Sequence, residues 1–123
     1  MKASKILFLV GLDYDGSTEK EEEFNTWYSE QHIPIQLKAR GIKTAARCRR
    51  TDAGNAPASY PPLEEYPNYL AVYEFENREA FTEFRNGPIF AELDKDLVNK
   101  WGKERPYKRK WWVVYEVFKT WKK

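Results

Sequence analysis

Glu23-Phe24-Asn25-Thr26-Trp27-Tyr28-Ser29-Glu30-Gln31-His32-Ile33-Pro34 is the stretch on which the reading of this chain turns. Phe24, Trp27, Tyr28, Gln31 and Ile35 recur at helical spacing with charges on the opposite side, the pattern of an amphipathic helix resting on a core. Upstream, Asp15-Gly16-Ser17 reads as a turn and Thr18-Glu19-Lys20-Glu21 has capping-box spacing, so Thr18 is expected to cap the helix and Glu21 to reach back. Arg40-Gly41 supplies a stop at the other end. Pro34 has no N–H for the carbonyl of Glu30, which predicts a kink or break near His32 and Ile33 and frees polar backbone beside the only histidine.

Outward from this helix the chain alternates strands and helices. Ile6 to Leu12 is apolar on both alternating faces and reads as a covered strand. Ile42 to Thr51 sets a small face (Thr44, Ala46, Cys48) against a cationic one (Lys43, Arg47, Arg49) and reads as a second strand. Tyr69 to Phe75 is the third. Asn77 then caps a helix carrying Ala80, Phe81 and Phe84, interrupted at Asn86-Gly87-Pro88, resumed through Leu93, Leu97 and Trp101, and closed by Arg105-Pro106. Trp111 to Phe118 is the last strand. Residues 52–67, with Gly54, Asn55, Pro57, Pro61, Pro62 and Pro67, read as a long surface loop.

This order predicts an α+β fold, ferredoxin-like βαββαβ, with a four-stranded antiparallel sheet and two helices on one face. The first and last strands are apolar on both faces, more surface than a lone domain of this size leaves wet. Residues 1–123 are therefore expected to form a single dimeric α/β-barrel domain, a homodimer whose sheets pack face to face around a cavity.

Composition narrows the function classes. The chain is 41% hydrophobic and 16% aromatic with a net charge of +2, too balanced for a nucleic-acid footprint. Trp111 and Trp112 alternate to opposite faces of one strand, so they cannot build a base-stacking platform. Cys48 stands alone, which excludes an internal disulfide and a multi-thiolate zinc site, and it reads as a buried hydrophobe. The charged Met1 to Lys5 followed by an apolar run is not read as a signal peptide, because Asp13, Tyr14 and Asp15 follow in place of a cleavage site. A cytoplasmic protein without a membrane or nucleic-acid partner is expected.

The run from Glu23 to Pro34, and the later Asn68-Tyr69-Leu70-Ala71-Val72-Tyr73-Glu74-Phe75-Glu76-Asn77, resemble the first helix and third strand of EthD-like proteins of the dimeric α/β-barrel superfamily. The resemblance implies that fold, and a family whose members include monooxygenases, cyclases, isomerases, lyases and haem-handling proteins. Some members place a catalytic histidine in the proline-containing break of the second helix. Here that stretch is Asn86-Gly87-Pro88-Ile89-Phe90, so imidazole chemistry falls to His32.

His32 is the one side chain suited by its ordinary pKa to both acid and base work near neutrality; its alternative use is as a structural hinge against Trp27 and Tyr28. Arg47 is the candidate for orienting a carboxylate or phenolate, and Tyr73 offers a hydroxyl. Trp27, Tyr28, Arg49, Glu74 and Glu116 are candidate binding residues, with an Arg–Glu bridge network as the structural alternative. No metal-ligand cluster, dinucleotide fingerprint or phosphate loop is present in the sequence, and no cofactor is expected. The function expected is a cofactor-independent proton-transfer enzyme of lyase, cyclase or isomerase type acting on an aromatic or polyketide-like molecule. The alternatives are a non-catalytic binding module and a haem-binding or haem-degrading protein.

Overall fold

Strand β1 (Lys5–Tyr14) buries Ile6, Phe8, Leu12 and Tyr14, while Leu7 and Leu9 between them stay half-covered. The strand is apolar on both faces, but only one face is packed within the chain. The computed structural model describes residues 4–54 and 56–123; Met1 to Ala3 of the charged N-terminal run, and Asn55 of the proline-rich stretch, lie outside the described residues. In it β1 joins β2 (Ile42–Arg49), β3 (Tyr69–Phe75) and β4 (Tyr107–Val117) in a four-stranded sheet of order β2-β3-β1-β4, with every neighbouring pair antiparallel. This is the ferredoxin-like arrangement expected from the element order.

The helices cover the face carrying Phe8 and Tyr73. Helix α1 (Thr18–Trp27) runs through a π turn (Tyr28–His32) into α2 (Ile33–Gln36), and α3 (Arg78–Asn86) is followed by α4 (Pro88–Trp101). Phe24 stacks on Tyr14 at 5.3 Å, and Phe81 and Phe84 meet Phe8 at 5.4 and 6.2 Å. Large rings thus weld both helical layers to the sheet through burial and edge-to-face contacts.

Several local expectations shift. Ser17, not Thr18, caps α1, its Oγ accepting from the Lys20 N–H, and Glu21 accepts from the Tyr69 hydroxyl at 3.1 Å in place of closing a capping box. The helix does not break before Pro34. It widens: the Ile33 N–H reaches back to the Tyr28 carbonyl, and the missing Pro34 donor is absorbed in a π turn. That extra residue moves the buried stripe from the expected Gln31 and Ile35 to His32 and Gln36. Strand β2 ends at Arg49, β4 begins already at Tyr107, and α4 stops at Gly102, whose φ of 60° suits glycine.

The proline-rich segment is tied to the body. The Arg50 guanidinium donates to the carbonyls of Leu63 and Tyr66 at 3.2 and 2.8 Å, and Pro67 lies so close to Gly11 that a Cβ there would sit 2.6 Å from the proline Cγ. The uncovered sheet face carries a row of paired residues, Ala46–Val72–Leu9–Val113, with Tyr115 and Trp111 beside it. Cys48 lies on this face and is exposed, not buried, because β2 is an edge strand and no part of the described chain covers it.

Candidate active site

The π turn is what aims the site. Tyr28, His32 and Gln36 follow one another at four-residue intervals and all three are buried against the sheet; in a plain α-helix such a stripe drifts by about 40° per step, and the wider π turn offsets that drift. They line a cavity of about 90 Å³ between the helices and β1, β3 and β4, whose opposite wall includes Phe8, Tyr73 and Leu97. Arg109, Asp94 and Trp112 also border it.

His32 is 9% exposed and Asp96 of α4 is 8% exposed, and Nδ1 of the imidazole lies 3.0 Å from Oδ2 of the carboxylate. A carboxylate accepts only, so Nδ1 carries the hydrogen and the lone pair of Nε2 is left for the cavity. Gln31 donates to the other oxygen of Asp96 at 2.6 Å and holds the carboxylate in place. The ring packs in tilted contact with Trp27 and Tyr28, with centroids 4.8 and 5.0 Å away. Burial pushes the His32 pKa down from 6.5; Asp96 pulls it up and Arg109 pushes it down, with a net downward shift. A neutral, oriented imidazole with an unbonded nitrogen can accept a proton from a molecule placed beside it.

Two tyrosines meet at the cavity from opposite sides. The hydroxyls of Tyr28 and Tyr73 are 3.5 Å apart, and burial raises both pKa values, that of Tyr73 well above 10.0. Both phenols therefore stay protonated and can donate or relay a hydrogen bond.

Of the residues singled out in the sequence, His32, Tyr73 and Tyr28 converge on the cavity. Trp27 packs behind the imidazole. Arg47 does not line the cavity: its guanidinium lies 4.5 Å over the Tyr28 ring and donates to Ser29, bracing the tyrosine from outside. Arg49 borders a separate surface groove with Thr18 and Glu21. Glu116 pairs with Arg78 at 3.6 Å, and Glu74 points to the uncovered sheet face near Lys5, 3.8 Å away. The Arg–Glu cluster expected from strand alternation is thus not assembled within the chain, because Glu74 has the opposite parity to Arg47 once β2 and β3 pair.

Asp96, Gln36, Tyr107 and Arg109 were not anticipated. Asp96 had a legible signal: it sits between Leu93 and Leu97 on the apolar stripe of α4, where an acid is costly unless partnered. The signal for Gln36 was hidden by the π turn.

Residues 7–110 match the model of a family described as a domain of unknown function, DUF4286. The chain belongs to this family. A comparison with curated protein sequences finds no match. Among solved structures, this DUF4286 protein is similar to an EthD family protein from Bacillus halodurans, at 14% identity over 94% of this chain and 99% of that one, with a TM-score of 0.58. It is similar to SnoaB, a cofactor-independent oxygenase from Streptomyces nogalater, at 13% identity over 96% and 97% of the two chains, with a TM-score of 0.62. A dimeric protein of unknown function and ferredoxin-like fold from Bacteroides fragilis matches at 16% identity over 93% and 95%, with a TM-score of 0.55. The likeness to EthD-like structures read from the two sequence runs is therefore present as a shared fold. Among the described residues, no helix is long and apolar enough to cross a membrane, and no cluster of three metal-ligating side chains occurs.

Proposed function

We propose that the chain is a cofactor-independent enzyme that moves a proton on a small aromatic or polyketide-like molecule, with His32 as general base and Tyr73 as hydrogen-bond donor, and that it works as a homodimer through the uncovered sheet face. The observation that carries the reading is the His32–Asp96 pair, 3.0 Å apart, with the second imidazole nitrogen left to the cavity. A buried carboxylate on a buried imidazole fixes one tautomer, which a hinge histidine does not need. The SnoaB likeness agrees with a fold that supports chemistry without a cofactor. The dimeric description of the Bacteroides fragilis relative and the apolar row Ala46–Val72–Leu9–Val113 favour face-to-face assembly.

A second reading, a non-catalytic binding module, draws on the small size of the cavity, about 90 Å³, and its largely apolar wall. The deciding experiment follows deuterium uptake by NMR at the carbon next to the carbonyl in a panel of methyl aryl ketones. The enzyme reading expects exchange above background that falls about 10²-fold or more in His32→Asn with folding intact. No exchange with any ketone, or equal exchange by parent and variant, overturns it.

A further inference from the structure

Lys108, Arg109 and Lys110 are three successive cations on β4, and the middle one is placed differently from its neighbours. Lys108 reaches Asp15 at 4.0 Å and Lys110 reaches Asp13 at 3.2 Å. Among the described residues, no carboxylate lies within ion-pairing distance of Arg109. An exposed guanidinium between two neutralised lysines keeps its charge and its forked donors free for another partner.

The strand register decides where that charge is aimed. Arg109 pairs with Leu12, and a bulge at Lys110 then shifts the pairing so that Trp111 meets Gly11 and Trp112 meets Val10. Residues opposite one another in an antiparallel pair point to the same face, so the bulge sets Arg109 and Trp112 together on the face of Leu12 and Val10. Regular alternation from Arg109 would have turned Trp111 there instead. All four residues of these two pairs border the His32 cavity. On this side the cavity opens to solvent between β4 and α4: Trp112 is 44% exposed, and Arg109 and Asp94 are exposed as well.

From outside the mouth, Arg85 of α3 packs on Phe90 and Trp112, its guanidinium carbon 4.4 and 5.7 Å from the two ring centres, and so ties the α4 side to the β4 side. Burial is the largest influence on the pKa values of His32, Tyr28 and Tyr107, and in all three the Arg109 charge adds a downward pull. The charge at the mouth is therefore felt along the cavity. Asp94 is the one acid among the described residues that border it, and it stands too far from Arg109 to form an ion pair.

Resting on the reading of this cavity as an active site, we infer that Arg109 is the anchor for an anionic group of the ligand. The ligand class is then a small aromatic acid whose carboxylate stays at the solvent edge while its ring passes Trp112 toward His32. A carboxylate held at an exposed mouth keeps part of its hydration and takes two parallel hydrogen bonds from the guanidinium, which costs less than burying it inside. The ring exchanges water for the apolar wall around Phe8 and Leu97. Arg109 thus takes the orienting part that strand alternation assigned to Arg47, which braces Tyr28 from outside.

The test uses the single histidine as reporter in a tag-free full chain. Its ring signals are followed by NMR during titration with phenylacetate and with phenylacetamide, which has nearly the same shape without the charge. The acid is expected to shift the His32 signals and to bind about tenfold tighter than the amide. Arg109→Gln is expected to remove that preference by weakening the acid alone, and Arg109→Lys to keep part of it. Both variants should melt near the parent temperature, since the side chain is exposed and unpaired. Equal binding of the two compounds to the parent overturns the anchor and leaves the His32 cavity standing. So does a preference that survives Arg109→Gln, including one lost only in Arg85→Gln. If neither compound moves the His32 signals, the anchor falls as well, and exchange in the methyl aryl ketones decides separately whether the cavity is catalytic.

Discussion

His32 Nδ1 and Asp96 Oδ2 lie 3.0 Å apart across 64 residues of chain, joining the π turn to the middle of α4. The same carboxylate takes Gln31 on its other oxygen, so one acid clamps two successive residues of the turn. Both partners of the pair are buried, so the contact sets the orientation of the imidazole and also ties two helices together.

Removing the acid should therefore be felt in two measurements. Asp96→Ala deletes the influence that raises the His32 pKa and leaves desolvation and Arg109 to lower it further. Titration of the single histidine by NMR should give a lower value than in the parent. Chemical denaturation should show a loss of about 1–3 kcal/mol, the cost of stranding the buried Nδ1 hydrogen.

Stability should depend on pH through His32. Its folded pKa lies below the ordinary 6.5, so the unfolded chain binds the proton more readily. The contribution is fully present above 6.5 and is lost as pH falls through the folded value. Urea midpoints measured between about pH 8 and pH 5 should fall for the parent, and the fall should be shallower in His32→Asn. A parent and variant that track each other through this window would show that the imidazole titrates alike in both states.

Gly11→Ala should destabilise the protein by about 1–3 kcal/mol, because the new methyl meets Pro67 Cγ at 2.6 Å and Trp111 Cβ at 3.1 Å. Adding Pro67→Ala removes the nearer atom and should recover part of the loss. Thermal melts of the two single variants and the double variant measure the coupling.

Val113 faces away from the helices, paired with Leu9 in the apolar row of the uncovered face. If that face is where two copies meet, Val113→Asp should convert a dimer into a folded monomer at micromolar concentration, read by light scattering alongside an unchanged far-ultraviolet spectrum. A parent that scatters as a monomer under the same conditions rules out this assembly.

Much of the fold was legible because its signals are local. Tyr69 to Phe75 alternates and is bounded by turn residues, and the expected strand and the observed β3 coincide. Asn77 caps α3 as its side chain predicts, accepting from the Ala80 N–H at 2.8 Å. The reading slipped where a local rule had two solutions. A proline in a helix can break it or widen it, and the widened turn carried the buried stripe onto His32 and Gln36. Tyr28, His32 and Tyr73, singled out by residue type and position, line the cavity. Arg47 lies off the cavity, because strand alternation tells which residues share a face, not which aromatic ring the guanidinium settles on.

The sequence by itself determined the order of strands and helices, the face of each strand that is apolar and the single imidazole available for chemistry, since periodicity, capping and composition act over a few residues. Only the tertiary structure decided that Asp96 stands behind His32, that Gln36 of α2 and Tyr107 of β4 border one cavity, and that Glu74 lies on the far side of the sheet. Those relations depend on how α4 and β4 are laid against the π turn by the sheet order β2-β3-β1-β4, a packing of segments more than sixty residues apart whose register no local pattern encodes.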